Sequence, residues 1–282
     1  MFLATRARRV LAALAVLALA LVPPALAARR GITIKGSDTM VILGQRWAEL
    51  YMTSHPGAVV QVTGGGSGTG IAALINGTTD VCASSRPMKD DEKLKLRDRF
   101  QTTGTEIAVA RDGLSIYVNE SNPVKDLSLA QLRAIYTGEA TNWKAFGGPD
   151  ARIVLYSREN SSGTYVYFKD HVLQGRDYAA AAQTLPGTAA VVNAVSKDPN
   201  GIGYGGAAYA KGVRELPVRR DERAPAITPS EATVRDGSYP ITRELYFYTR
   251  QRPAGDVKAF VDWVLSAEGQ RIVTQVGYFP VK

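Results

Sequence analysis

Four short segments of the chain combine glycine, serine and threonine with an occasional charged residue. They are residues 36–39 (GSDT), 66–69 (GSGT), 84–86 (SSR) and 158–164 (RENSSGT). Serine and threonine offer hydroxyl donors, glycine lets a ligand approach the backbone, and arginine offers a bidentate donor to an oxyanion. Each segment follows a predicted strand and three lead into a predicted helix, whose N-terminus carries a partial positive charge. One such turn is usually only a helix cap. Four with the same placement indicate a shared site for a small tetrahedral anion.

The elements that must position these segments alternate between strand and helix. Residues 31–35, 59–63 and 80–83 predict strands, and the segments between them predict helices. This βαβαβ order indicates a mostly parallel sheet flanked by helices, in which ligands bind beyond the carboxyl ends of the strands. A strand–loop–helix pattern restarts at residues 152–173, which indicates a second α/β lobe.

The remaining elements are predicted from periodicity and from turn residues. Ser128 and Gln131 form a capping box for a helix at residues 129–136. Further predictions are two strand-like runs within residues 106–119, helices at 179–182 and 189–195, a charged surface loop at 216–239, a strand at 245–249 and one helix at 257–274.

We expect two lobes joined by two extended crossings, within residues 114–118 and 245–247. One lobe would hold residues 31–115 and 245–282, and the other residues 116–244. This division would place Arg158 across a cleft from Ser37, Ser67 and Arg86.

Residues 1–27 have the features of a secretory signal peptide. Three arginines precede an apolar run at residues 10–22, and Ala25-Leu26-Ala27 matches a cleavage site. The apolar run is shorter than the roughly 20 residues that a membrane-spanning helix needs. The only cysteine is Cys82, so no cysteine stands at the cleavage site to carry a lipid. We therefore expect an exported, freely diffusing periplasmic monomer.

Composition and motifs argue against several other classes. The net charge is +8, but the basic residues are scattered, which argues against nucleic-acid binding. Residues 201–206 match the Gly-x-Gly-x-x-Gly pattern of a dinucleotide-binding motif. That motif must follow a strand, whereas these residues follow a turn, so the match does not indicate a dinucleotide site. His55 and His171 are the only histidines, and neither supports a Ser-His-Asp triad or a metal site. We expect no cofactor, no metal and no enzymatic activity.

Seven segments carry a family resemblance: ITIKGSDTM, GGGSGTGI, DVCASSRPM, LRAIYTGEATNW, SRENSSGT, GIGYGGAAYA and YPITRELYFYT. In these the chain resembles the PstS-like periplasmic phosphate-binding proteins of ABC transporters. The resemblance implies an α/β, two-lobed type II periplasmic binding protein fold with two crossing strands. It also implies capture of inorganic phosphate and its delivery to a membrane permease. The ligand contacts that it assigns are Ser37, Thr39, Ser67, Ser85, Arg86, Arg158, Ser162, Gly163 and Thr164.

Two residues have more than one interpretation. Many relatives carry at the position of Ser85 an aspartate that accepts the proton of hydrogen phosphate. Here Asp38 could replace that acceptor, or it could be the N-cap of a helix that starts at Thr39. Arg86 could contact the anion, or it could brace its loop against Asp38 or Asp80. Two other functions also remain open: a secreted phosphatase on the same scaffold, and a binding protein for another oxyanion such as sulfate or molybdate.

Overall fold

The computed structural model describes residues 31–281. The predicted signal peptide lies outside them. Within this range no helix is both long enough and apolar enough to cross a membrane.

Eleven strands and nine α-helices build the described part of the chain. The strands are β1 Ile32–Gly36, β2 Val60–Thr63, β3 Val81–Ser84, β4 Thr105–Val118, β5 Leu127–Ser128, β6 Val154–Arg158, β7 Gln183–Leu185, β8 Gly201–Gly206, β9 Arg214–Leu216, β10 Val218–Arg219 and β11 Thr242–Thr249. The helices are α1 Val41–Ser54, α2 Ser67–Asn76, α3 Asp90–Phe100, α4 Leu129–Tyr136, α5 Gly163–His171, α6 Gly187–Lys197, α7 Glu231–Arg235, α8 Gly255–Val264 and α9 Ala267–Val276.

The predicted parallel sheet is confirmed in the first lobe. Strand β1 lies between β2 and β3 and pairs with both in parallel, while β11 and β4 continue the sheet in antiparallel order. In the second lobe, β6 pairs in parallel with β7 and β8. The carboxyl ends of β1, β2 and β3 therefore lie at one edge of the sheet, where the predicted site segments begin.

Strand β4 passes from one lobe to the other. Its residues 105–113 pair with β11, and its residues 114–118 pair with β8. Sequence patterns predicted two runs here, but the structure has one continuous strand. The reason is that Asp112 and Gly113 stay extended in the ladder, where Asp112 lies opposite Arg243. Buried apolar side chains accordingly form two main cores, one from residues 114–241 and one from residues 32–110 and 245–278.

Three predicted elements differ from the structure. Residues 257–274 form two helices and not one, because the chain turns at Ser266, whose Oγ accepts a hydrogen bond from the Gly269 N–H at 3.3 Å and caps α9. Residues 179–182 form a turn closed by the Ala182 N–H, which donates to the Ala179 carbonyl, and the Ala179 N–H anchors this turn to the Tyr136 carbonyl. The predicted loop at 216–239 contains β10 and the short helix α7, which is capped by Ser230.

A buried ion pair lies at the crossing of β4 and β11. The Asp112 carboxylate accepts hydrogen bonds from Arg243 Nε at 3.0 Å and Nη2 at 2.7 Å, and both residues are buried. We expect Asp112→Ala to lower the free energy of unfolding by at least about 3 kcal/mol, because it leaves a buried guanidinium without its partner. Urea unfolding measures the change. The matched control is Glu49→Ala, which removes the exposed pair with Arg46 and should cost less than about 1 kcal/mol. Equal losses in the two variants would contradict this prediction.

Candidate anion site

Three serine hydroxyls of the first lobe meet at the carboxyl edge of its sheet. Ser37 follows β1, Ser85 follows β3, and Ser67 begins α2. Ser37 Oγ donates to Ser85 Oγ at 2.9 Å, Ser67 Oγ lies 3.3 Å from Ser85 Oγ, and the Ser85 N–H donates to Ser67 Oγ at 3.0 Å. All three are buried. The predicted convergence of these loops on one place is thus observed.

The second lobe presents the N-terminus of α5 to these serines. Ser162 is its N-cap, and its Oγ accepts a hydrogen bond from the Tyr165 N–H at 3.3 Å. Thr164 Oγ1 lies 2.9 Å from Thr39 Oγ1 of the first lobe. The first N–H groups of a helix have no acceptor within the helix, so this end adds backbone donors to the hydroxyl cluster.

Glycines allow the two lobes to approach this closely. The Gly68 N–H donates to the Ser161 carbonyl at 2.9 Å, which joins the loops across the cleft. Gly66 has φ +94°, a left-handed conformation that favours glycine, and a Cβ there would lie 2.5 Å from the Ser161 carbonyl oxygen. A Cβ on Gly163 would lie 2.3 Å from Ser67 Oγ and 2.7 Å from Ser85 Oγ.

Arg158, the last residue of β6, carries a buried guanidinium. Its Nη2 donates to Asp38 Oδ2 at 2.8 Å across the cleft, and its Nη1 donates to Thr188 Oγ1 at 2.9 Å. Among residues 31–281 its Nε has no hydrogen-bond partner. A buried polar group without a partner is costly, so this Nε is a donor suited to an anionic ligand.

Asp38 joins the two lobes and does not cap a helix. It is the first residue of a short 3-10 turn, and the N-cap position belongs to Ser37. The Asp38 Oδ1 accepts a hydrogen bond from the Gly65 N–H at 2.8 Å, while Oδ2 pairs with Arg158. The N-cap interpretation of Asp38 is therefore wrong: its carboxylate holds the second loop and the arginine together.

Arg86 has a partner that the sequence analysis did not identify. Its Nη1 and Nη2 donate to the two carboxylate oxygens of Glu92 at 2.8 and 2.7 Å, and Nη1 also donates to the Pro87 carbonyl. Arg86 does not pair with Asp38 or Asp80. Asp38 accepts hydrogen bonds from Gly65 and Arg158, and Asp80 accepts them from Thr33. In the described chain the Nε of Arg86 is left without a partner.

Two residues near the site were missed by sequence reasoning. Thr188 accepts a hydrogen bond from Arg158 and follows Gly187, the first residue of α6. This Gly-Thr pair at a helix N-terminus repeats the pattern of Gly163-Thr164 and could have identified Thr188 from the sequence. Tyr209 donates its hydroxyl to the Asp38 carbonyl at 2.7 Å, and burial raises the pKa of Tyr209 to about 12. It therefore stays a protonated donor at neutral pH. No local pattern identified Tyr209.

The charges around the site are balanced in pairs. Arg158 pairs with Asp38, Arg86 with Glu92, and Arg243 with Asp112. An anion would therefore be held by directed hydroxyl, guanidinium and backbone donors and not by a net positive field. Cys82 lies in the core, where burial raises the pKa of its thiol. Within residues 31–281, no group of three or more His, Cys, Asp or Glu side chains could hold a metal ion.

Comparisons with known proteins agree with this architecture. A family profile described as PBP superfamily domain matches residues 22–268. The phosphate-binding protein PstS of Pseudomonas aeruginosa is 34% identical over 263 residues, covering 87% of this chain and 81% of that protein. PstS of Staphylococcus haemolyticus is 32% identical over 246 residues, covering 84% and 77%.

Solved structures have the same fold. A Clostridium perfringens protein with bound phosphate superposes with a TM-score of 0.81 at 30% identity, covering 90% of this chain and 100% of that one. An ABC-type phosphate transport receptor from Vibrio cholerae gives 0.70 at 29% identity, covering 88% and 99%. The α/β fold with two lobes and two crossing strands is therefore the type II periplasmic binding protein fold. The chain belongs to the PBP superfamily and, within it, to the PstS-like periplasmic phosphate-binding proteins.

Proposed function

We propose that this protein captures inorganic phosphate between its lobes and delivers it to the permease of an ABC transporter. The observation that carries the proposal is the buried guanidinium of Arg158, which is held between the two lobes and whose Nε has no hydrogen-bond partner within residues 31–281. The names of its relatives support the same ligand. We further propose that the protein is an exported periplasmic monomer.

The proposed ligand contacts are the nine residues that the family resemblance implies, together with Asp38 as an acceptor. Hydroxyl hydrogens rotate, so the serines and threonines that now bond to one another can turn toward an anion. Arg158 would add a charged donor, and Arg86 has only its Nε available. The full set is Ser37, Asp38, Thr39, Ser67, Ser85, Arg86, Arg158, Ser162, Gly163 and Thr164.

The lobe boundaries follow from the partner change of β4. We place the first lobe at residues 31–113 and 242–281, and the second at residues 114–241. These limits lie within a few residues of the sequence expectation. They put Ser37, Ser67 and Ser85 in one lobe and Arg158 with Gly163 in the other.

Titration calorimetry of the mature protein tests the ligand. We expect saturable binding of phosphate with one site per chain. No heat with phosphate but saturable binding of sulfate or molybdate would favour the binding protein for another oxyanion.

Gly163→Ala should block closure of the cleft without unfolding either lobe. The new methyl group would overlap Ser67 Oγ of the opposite lobe, at 2.3 Å. Overpacking of this kind costs about 1–3 kcal/mol, and we expect phosphate affinity to fall by about 100-fold, near the upper end of that range. Calorimetry measures the change, with circular dichroism to verify folding.

The matched control for Gly163 is Gly44→Ala. Gly44 is also crowded, with its Cβ position 3.1 Å from Val62 Cγ1, but both residues belong to the first lobe and lie outside the site. This control should keep the wild-type affinity. If Gly163→Ala also bound phosphate like the wild type, the proposed closed contact between α5 and the serines would be wrong.

We also propose that the protein does not hydrolyse phosphate esters. Among residues 31–281 Ser67 Oγ forms hydrogen bonds with the hydroxyl and the N–H of Ser85, and Ser162 Oγ accepts one from the Tyr165 N–H. No partner of either hydroxyl in this range is a base that could activate it. His55 and His171 each bond a backbone carbonyl on their own helix. We expect no release of p-nitrophenol from p-nitrophenyl phosphate by the purified protein. Turnover that Ser67→Ala or Ser162→Ala abolished would establish the phosphatase instead.

A further inference from the structure

The guanidinium of Arg243 lies where both crossing strands leave the first lobe. Arg243 is opposite Asp112 in the β4–β11 ladder, and β4 changes its partner two residues after Asp112. Both side chains are almost fully buried. Because the pair lies within one ladder of the first lobe, rotation of the lobes about the crossing leaves it intact.

Arg243 also reaches one of the site loops. Its Nη1 donates to the Ser85 carbonyl at 3.2 Å, while Nε and Nη2 both go to Asp112. The Ser85 N–H donates to Ser67 Oγ, and the Ser85 Oγ accepts from Ser37. Ser85 is thus the residue to which both Ser37 and Ser67 bond. By holding its carbonyl, Arg243 fixes the position of Ser85 and therefore the arrangement of the three serines.

The same guanidinium touches the second lobe through Tyr167. Its carbon atom lies 5.5 Å from the centroid of the Tyr167 ring, and the Tyr167 hydroxyl donates to the Thr242 carbonyl at 2.6 Å. Tyr167 is on α5, four residues and therefore about one turn after Gly163, the first residue of that helix. Arg243 is thus in contact with a site loop of one lobe and with the site helix of the other.

We propose that Arg243 is a positioning residue that couples closure of the lobes to the arrangement of the Ser85 loop. The proposal rests on the proposed capture of phosphate in the cleft. Opening at the crossing separates Tyr167 from Arg243, whereas the contacts of Arg243 with Asp112 and Ser85 stay within the first lobe. The cation–π contact therefore stabilises only the closed, liganded form, and its loss increases the dissociation rate more than it slows association.

A purely structural role for Arg243 predicts something different. If the guanidinium served only to neutralise Asp112, any effect of replacing Tyr167 on phosphate affinity would come from its hydroxyl bond to the Thr242 carbonyl and would be independent of Arg243. Stability of the ligand-free protein would then be the only property to respond when Arg243 is changed. The two roles are separated by a double-mutant cycle read out in phosphate binding.

The experiment compares wild type, Tyr167→Leu, Arg243→Lys and the double variant, by calorimetry and by stopped-flow phosphate dissociation. We expect Tyr167→Leu to weaken phosphate binding by about tenfold, almost entirely through faster dissociation. The losses in the two single variants should not multiply fully in the double variant, because both changes alter the contact between the guanidinium and the ring, although Tyr167→Leu also removes the hydroxyl bond to Thr242 and Arg243→Lys also changes the bond to Ser85. The matched control is Tyr51→Leu, a buried tyrosine of the first lobe that stacks on His55, and it should keep wild-type dissociation.

The outcomes separate this inference from the proposed function. A wild-type protein that did not bind phosphate would refute the proposed function itself. A wild type that binds, with a Tyr167→Leu variant of unchanged affinity and dissociation rate, would refute the positioning role alone. Fully multiplicative losses in the double variant would also refute it, since the two residues would then act independently. If Arg243→Lys does not fold, wild-type affinity and dissociation in Tyr167→Leu would still refute the positioning role.

Discussion

Arg158→Met should weaken phosphate binding by about 1,000-fold while the protein stays folded. Truncating one member of a buried charge pair costs about 2–5 kcal/mol, and two effects place this variant in the upper half of that range. The change removes the donor with the free Nε, and it leaves the Asp38 carboxylate without its partner beside the bound anion. A loss of about 4 kcal/mol corresponds to that factor.

The Arg158 prediction has two controls. Arg46→Met removes an exposed arginine that pairs with Glu49 and should leave affinity unchanged. Combining Arg158→Met with Asp38→Asn should recover part of the loss, because it removes the carboxylate charge that Arg158→Met alone leaves without its guanidinium partner. Wild-type affinity in Arg158→Met, measured by calorimetry, would remove Arg158 from the site.

Asp38→Asn should abolish discrimination between phosphate and sulfate. At neutral pH hydrogen phosphate carries a proton that the partly buried Asp38 carboxylate can accept, whereas sulfate and that carboxylate would present two acceptors to each other. A mismatch of this kind discriminates by about 10⁴-fold. We expect the wild type to ignore sulfate, and we expect the preference of the variant to fall below about tenfold. Asp38 is suited to this role because it is held in place by the Gly65 N–H and by Arg158.

Competition calorimetry with both anions measures this preference. The matched control is Asp80→Asn, since Asp80 also accepts hydrogen bonds, from Thr33 near the opposite end of β1, and this change should leave the preference intact. If Asp38→Asn kept the wild-type preference, the role of Asp38 would be limited to holding Arg158 and the Gly65 loop. A wild type that preferred sulfate would mean that the ligand itself had been wrongly assigned.

Local features of the sequence were enough to predict much of the first lobe. The three strands, the helices between them and the loops at their carboxyl ends are encoded by short-range periodicity, caps and glycines. Strand adjacency then brought Ser37, Ser67 and Ser85 together without further information, since neighbouring parallel strands end at one edge. Prediction was poorer at Ser266, where one helix ends and another begins. The apolar periodicity continues through this residue and predicts one helix, although Ser266 caps the second of the two.

Which residues can bind an anion, and at which strand and helix ends they lie, follows from the order of residue types along the chain. Hydroxyls, glycines and arginine at such positions can bind an anion in any fold that brings them together. The pairing of the charged side chains, in contrast, depends on tertiary contacts. Arg158 pairs with Asp38, 120 residues away in the chain, and Arg86 turns to Glu92. The physical reason is that a buried guanidinium needs a carboxylate within hydrogen-bond distance. Which carboxylate satisfies that need depends on how the lobes pack, and no local pattern records it.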